Sequence, residues 1–198
     1  EGTAIHDLSG NDFDGELTGT TESDAWQDGI LGPSVRMDGL NDQVAIGGHS
    51  GEQKTISFWF DAGFALEDNG TAVRLCTMEW GSQRPPREIW LNDFNSSISG
   101  EILSFKDKED GVTYVTAANA NLSDAWNHLA LVWDGGLTRY RMYLNGVDVD
   151  VSASTTGHAA FITSHTKNLH FAEPPTGAGD VRYAGKIDEF RIYDRSLS

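Results

Sequence analysis

A two-sheet, antiparallel all-β sandwich is what this sequence predicts, and three observations carry the expectation. Helical periodicity is almost absent. Short runs of alternating apolar and polar residues recur instead, punctuated by Gly, Asn and Asp at intervals of about 8 to 15 residues, the rhythm of a sandwich. Asn145-Gly146, set between two such runs, is the strongest short hairpin signal, because both residues tolerate positive φ.

The elements follow in chain order. Strands are expected near 35–37 and 43–46, on either side of an Asp- and Asn-rich turn. Residues 55–60 alternate Ile56, Phe58 and Phe60 against Ser57 and Trp59, a half-buried strand. Further strands are expected near 73–78, 97–105 and 112–116. Residues 128–133, His-Leu-Ala-Leu-Val-Trp, form a more continuous apolar run, as a central strand does. Asp134-Gly-Gly136 then turns the chain into 139–144, and the Asn-Gly turn leads into 147–151, where alternation is strict. Strands near 168–171 and 183–193 complete the set, with polar or Pro/Gly-rich loops at 106–111 and 174–180. An unbroken pleat in the last strand sends Ile187, Glu189, Arg191 and Tyr193 to one face and Asp188, Phe190, Ile192 and Asp194 to the other.

Composition bounds the rest. The 198 residues show no linker and no second compositional regime, so one domain over 1–198 is expected. Six Trp and nine Phe within a hydrophobic content of 38% suffice for one core between two sheets. No run of 18 apolar residues exists to span a membrane. The single cysteine, Cys76, excludes an internal disulfide and reads as a small buried apolar residue. Net charge is −16, and residues 1–50 hold ten acids against one base, Arg36. That imbalance argues against nucleic-acid or anionic-membrane partners. It fits either a solvated acidic surface or carboxylates gathered around a hard cation, and composition does not separate the two. Sequons stand at Asn69, Asn95 and Asn121.

Four segments together suggest more. Asp7-Leu-Ser-Gly-Asn-Asp-Phe-Asp-Gly15 is an opening turn. Val35-Arg-Met-Asp-Gly-Leu-Asn-Asp-Gln-Val-Ala-Ile46 follows it. Trp126-Asn-His-Leu-Ala-Leu-Val-Trp-Asp-Gly135 leads to Tyr143-Leu-Asn-Gly146. The chain ends on Gly185-Lys-Ile-Asp-Glu-Phe-Arg-Ile-Tyr-Asp-Arg-Ser-Leu-Ser198. Taken in order, these resemble the laminin-G-like, concanavalin A-like lectin/glucanase jelly roll. The resemblance implies a jelly-roll sandwich that usually binds sugars. Family members carry an apolar strand just before the position of Glu1, which implies a module of a larger secreted or cell-surface protein, with other domains of that parent chain as neighbours.

The resemblance also implies a structural calcium that ties the terminal strand to the N-terminal loops. Asp188 is the first candidate ligand, with the Gly39 carbonyl, Asp38 or Asp42, and Asp7 from the opening turn. Calcium takes six to eight oxygens of mixed type, which such a set would supply. Two alternatives stand beside it: an Arg or backbone partner for Asp188, and a turn in which Asp38, Asn41 and Asp42 bond their own backbone.

No catalytic constellation is expected. Glu88 and Asp93 are five apart and so fall on opposite faces of a strand, unlike the same-face carboxylates of a glycosidase. No Gly-x-Ser-x-Gly elbow, His-Glu-x-x-His helix or phosphate loop is present. His128 reads as structural. The sequence therefore points to a non-catalytic carbohydrate-binding or adhesion module, with a spacer or protein-interaction domain as the second reading and a hydrolase or lyase as the third. The candidate sugar contacts are Trp80, Arg84, Arg87 and Trp90. Indole faces suit the apolar side of a pyranose, and guanidinium forks match a carboxylate, which favours an acidic sugar. The alternative places Trp80 and Trp90 in the core around a Pro-Pro loop. Trp26, Trp59, Trp126 and Trp133 read as core.

Overall fold

The computed structural model describes residues 2–49, 55–61, 73–80, 84–91, 103–107, 112–115, 122, 125–135, 139–149, 167–172 and 181–197. The chain starts with β1 (Ala4–Ile5), β2 (Gly15–Thr18), a single helical turn α1 (Glu22–Ala25), β3 (Trp26–Asp28), β4 (Pro33–Asp38) and β5 (Gln43–His49). It continues through β6 (Thr55–Asp61), β7 (Val73–Trp80), β8 (Arg84–Leu91), β9 (Leu103–Asp107) and β10 (Val112–Val115). The final set is β11 (Trp126–Asp134), β12 (Arg139–Leu144), β13 (Val147–Asp148), β14 (Lys167–Phe171), β15 (Val181–Arg182) and β16 (Ala184–Tyr193).

These strands form the expected antiparallel sandwich. The larger sheet runs β1-β2-β5-β14-β7-β8-β9-β10, with β15 added in parallel beside β7. The smaller sheet runs β13-β12-β11-β6-β16-β4-β3. Strand alternation decides which side chains lie between them. Ile56, Phe58 and Phe60 of β6 and Leu129 and Leu131 of β11 face Leu75 of β7, Ile89 and Leu91 of β8, and Phe105 of β9 in one buried cluster. Two aromatic contacts lock the layers: Phe58 meets Phe171 edge-on at 5.4 Å, and Phe105 meets Tyr140 at 5.5 Å. Such pairs add about 0.5–1.5 kcal/mol each beyond the area they bury. Cys76 is buried in the same core.

The Asn-Gly hairpin forms as its sequence dictates. Asn145 and Gly146 take φ of 51° and 80°, and Leu144 pairs with Val147 across them. Asn145 also extends the ladder: its own N–H donates to the His128 carbonyl at 2.8 Å, and its Oδ1 accepts the His128 N–H at 2.8 Å.

Three expectations are corrected. The pleat of β16 is broken, not continuous: the register shifts between Asp188 and Arg191, and Glu189 sits at φ 50°. One extra residue there lets Ile187, Phe190 and Ile192 all reach the core, which an unbroken alternation forbids. Trp59 and Trp126 are half-buried, and by alternation lie on the face turned away from the core cluster, while Trp133 belongs to that cluster. The Pro-Pro segment is part of strand β8. It tolerates Pro85 and Pro86 because β9 pairs only with 87–91, so the residues before Arg87 have a neighbour on one side, next to a register shift in β7.

Candidate functional site

The larger sheet carries a polar second face. Between the core residues Val73 and Leu75, Ile89 and Leu91, Leu103 and Phe105, and Leu169 and Phe171 stand Arg74, Trp90, Ser104 and His170. Thr77 and Glu88 continue the same face, and all six are buried although none belongs to the apolar cluster. The register sets Arg74 across from Trp90, Trp90 across from Ser104, and Thr77 across from both Glu88 and His170. Trp90 Nε1 donates to Glu88 Oε2 at 2.9 Å, Arg74 Nη1 lies 3.5 Å from Glu88 Oε1, and the guanidinium sits 5.2 Å from the indole centroid. His170 Nδ1 and Gln43 Nε2 are 2.7 Å apart at the other end of the row. A buried pair of this kind gains little net stability, because desolvation offsets attraction, but it fixes geometry. Sequence reasoning missed Arg74, Thr77, Glu88, Ser104 and His170, although for all but Glu88, which follows Arg87, the signal was there: each is a polar residue between two apolar ones.

Of the four residues expected to hold sugar, Trp90 is on this face, only 5% exposed. It is neither a core residue nor an open stacking platform. Trp80 pairs with Arg84 across the far end of the β7–β8 hairpin, and Arg87 pairs with Met78 and with Asp107. The side chains of Trp80, Arg84 and Arg87 lie outside the described residues. The hairpin thus sets arginine against tryptophan twice, once at each end.

The five residues expected to hold calcium do not come to one place. Ala184 pairs with Asp38, so Asp188 stands four residues further along β16, roughly 13 Å away at about 3.3 Å per residue. No single ion bridges that gap. Asp188, 8% exposed, instead accepts main-chain hydrogen bonds: Ile30 N–H at 2.7 Å and Leu31 N–H at 3.1 Å on Oδ2, and Glu189 N–H at 2.8 Å on Oδ1. This is the backbone partner that sequence left as an alternative. N–H groups aimed at both oxygens place positive dipoles where a cation would bind, so the calcium set does not fit at Asp188.

The other carboxylates serve their own turns. Asp7 accepts from the Ser9 hydroxyl and from the Ser9 and Phe13 N–H groups, which holds its carboxyl below the usual range. Asp38 Oδ1 accepts from Leu40 and Asn41 N–H, and these bonds lower its pKa, while Gly39 takes φ 77°. Asp42 is 2% exposed; Oδ2 accepts the Asp38 N–H at 2.9 Å and Oδ1 is buried without a hydrogen-bond partner. Among the described residues, no three His, Cys, Asp or Glu side chains group as a metal site.

Burial, followed by the Asp38 charge, raises the Asp42 pKa. A carboxyl raised in the folded state favours folding at low pH, and that contribution is lost as pH rises through the folded value. Asp42→Asn, which keeps an acceptor for the Asp38 N–H and removes the charge, is therefore expected to raise Tm at pH 7. The gain should shrink toward zero below about pH 3.8. An equal gain at both pH values would refute the charge argument.

The arrangement defines a two-sheet, antiparallel β-sandwich. The chain belongs to the concanavalin A-like lectin/glucanases superfamily, whose laminin-G-type family model it matches over residues 38–198. Solved structures with the same fold include a carbohydrate-binding module of the Ruminococcus gnavus IT-sialidase bound to α2,3-sialyllactose. That module is 16% identical, with TM-score 0.51, covering 83% of this chain and 91% of that one. A native heptameric SAP-like pentraxin from Limulus polyphemus is 12% identical with TM-score 0.51, covering 78% and 71%. The receptor-binding domain of botulinum neurotoxin mosaic serotype C/D is 12% identical with TM-score 0.62, covering 99% of this chain and 48% of that one. No curated protein sequence matches the chain.

Proposed function

We propose that this chain is a non-catalytic carbohydrate-binding module, secreted or displayed at a cell surface within a larger adhesive protein. Its sugar-binding element is the end of the β7–β8 hairpin. The observation that carries this reading is the repeated cross-strand pairing of arginine with tryptophan, Arg74 with Trp90 and Arg84 with Trp80. The inner pair is buried and braced by Glu88, so it serves as the rigid base. The outer pair supplies the contacts: an indole for the C–H face of a pyranose and a guanidinium for a carboxylate or hydroxyl pair. Arg84 and Arg87, on the strand that also pairs with the buried Arg74, favour an acidic glycan in a chain of net charge −16. The sialyllactose held by the Ruminococcus module is an acidic sugar of this class, which supports the reading by analogy of fold.

Trp80→Ala and Arg84→Ala, measured on a glycan array and by calorimetry against the best acidic glycan, are each expected to weaken binding at least tenfold, about 1.4 kcal/mol. Circular dichroism should be unchanged. Binding undiminished in both variants removes the hairpin as the site. A wild-type protein that binds no glycan supports the spacer or protein-interaction reading instead.

A further inference from the structure

The smaller sheet carries a second feature on the face turned away from the core, and its chemistry differs from that of the hairpin. Across four adjacent strands the register aligns Tyr143 of β12, Ala130 of β11, Ser57 of β6 and Arg191 of β16. Two small residues between two large ones, Ser57 at 7% exposed and Ala130 half-buried, leave a shallow trough two strands wide, on the order of 10 Å from strand spacing. The next row along the sheet closes one end: His128 pairs with Trp59, and their rings lie 5.0 Å apart, both half-buried. The other end is closed by the C-terminal residues, where Thr55 Oγ1 donates to the Arg195 carbonyl at 2.9 Å and accepts the Leu197 N–H at 3.1 Å. Arg191 is felt at His128, whose pKa is lowered by burial first and by that guanidinium second.

The polar groups around this trough come as neutral pairs. Arg191 is bonded to Glu189, and Arg141, 5.8 Å from the Tyr143 ring, is bonded to Asp148. A guanidinium has five N–H donors and a carboxylate about four acceptor sites, so each pair retains both kinds at zero net charge. Vicinal hydroxyls require that mixture, each being donor and acceptor at once. A carboxylated sugar would meet Glu189 and Asp148 as like charges.

We infer that this trough is a second glycan subsite, selective for a neutral hexopyranose chain that stacks on Trp59 and hydrogen-bonds to the Arg191–Glu189 pair. The inference rests on the glycan-binding function proposed above but places the neutral sugar on the opposite sheet from the acidic one. Affinity electrophoresis of the full chain against neutral polysaccharides (galactomannan, xylan, mixed-linkage glucan) and acidic ones (alginate, polygalacturonate) separates the two. Ala130→Arg, which fills the trough from a half-buried position, is expected to weaken binding to the retained neutral polysaccharide at least tenfold. Arg191→Ala should do the same to a lesser degree, while Trp80→Ala should leave it unchanged. Neutral binding should persist in 0.5 M NaCl, because no net charge is exchanged. An unchanged melting temperature identifies loss of binding in Ala130→Arg as local; if that variant unfolds, Arg191→Ala decides. Neutral binding that survives both substitutions, or that is lost in Trp80→Ala instead, overturns the second subsite and leaves the hairpin site standing. Binding to acidic polysaccharides alone overturns it as well. Binding to nothing overturns both.

Discussion

Asp188→Ala is expected to cost about 2–4 kcal/mol of stability and to loosen the loop that follows β3. The carboxylate accepts three main-chain N–H groups, two from Ile30 and Leu31 and one from its neighbour Glu189. Hydrogen bonds to a charged group contribute about 1.5–3 kcal/mol each, and donors left without an acceptor cost about 1–3 kcal/mol. The expected loss falls below the sum of these contributions because Ile30 and Leu31 lie near solvent and recover water on release. Local fit is just as tight: a Cβ on Gly29 would overlap the Asp188 carboxylate and stand 2.8 Å from the Gly32 carbonyl, so only glycine lets the loop close over the acid. Asp188→Asn keeps one oxygen but turns an NH₂ toward a donor, and should fall between alanine and wild type. Urea unfolding gives the stability change, and hydrogen exchange at the Ile30 and Leu31 amides reports the loop. A change under 0.5 kcal/mol, with unaltered exchange, would show that these bonds do not anchor the terminal strand.

The same residue shows how far the sequence could be read. An acid among apolar neighbours near the C-terminus had to be compensated, and that was legible from the cost of burying a charge. What compensates it was not, because Ile30 and Leu31 lie 158 and 157 residues away and act through main-chain N–H groups that every residue possesses. Likewise the strand from Thr55 to Asp61 announced itself by alternation, that from Trp126 to Asp134 by its more continuous apolar run, and Asn145-Gly146 by its φ requirements. The bulge at Glu189 did not, since a single added residue leaves the apolar pattern of Ile187, Phe190 and Ile192 looking like an ordinary strand with one fault. Trp59 and Trp126 were misplaced for a related reason. Tryptophan is apolar enough to read as core, but its face of the sheet is set by the parity of its neighbours, Phe58 and Phe60 for one and Leu129 and Leu131 for the other. Parity was available, and composition outweighed it.

Glu88→Ala is expected to have the largest effect of any single change on the larger sheet, about 3–5 kcal/mol. Its side chain is 1% exposed, lies against Arg74, itself 3% exposed, and accepts the Trp90 indole N–H. Removing one member of a buried ion pair strands the other in a medium that solvates charge poorly, and losses of that size are typical. The penalty belongs to the remaining charge rather than to the attraction, and a second variant separates the two. Arg74→Met with Glu88→Gln removes both charges and retains an acceptor for Trp90 Nε1, so it should cost clearly less than Glu88→Ala alone. If Trp80 and Arg84 make the glycan contacts as proposed, the double variant should also keep affinity within a few-fold of wild type, because Trp90 retains an acceptor for its indole N–H. Chemical denaturation of both variants, with calorimetry on the double, checks each part. A Glu88→Ala loss under 1 kcal/mol would mean that water reaches this face and that Glu88 and Trp90 stand open to ligand. A double variant as unstable as Glu88→Ala would assign the cost to packing against Trp90 instead of to charge.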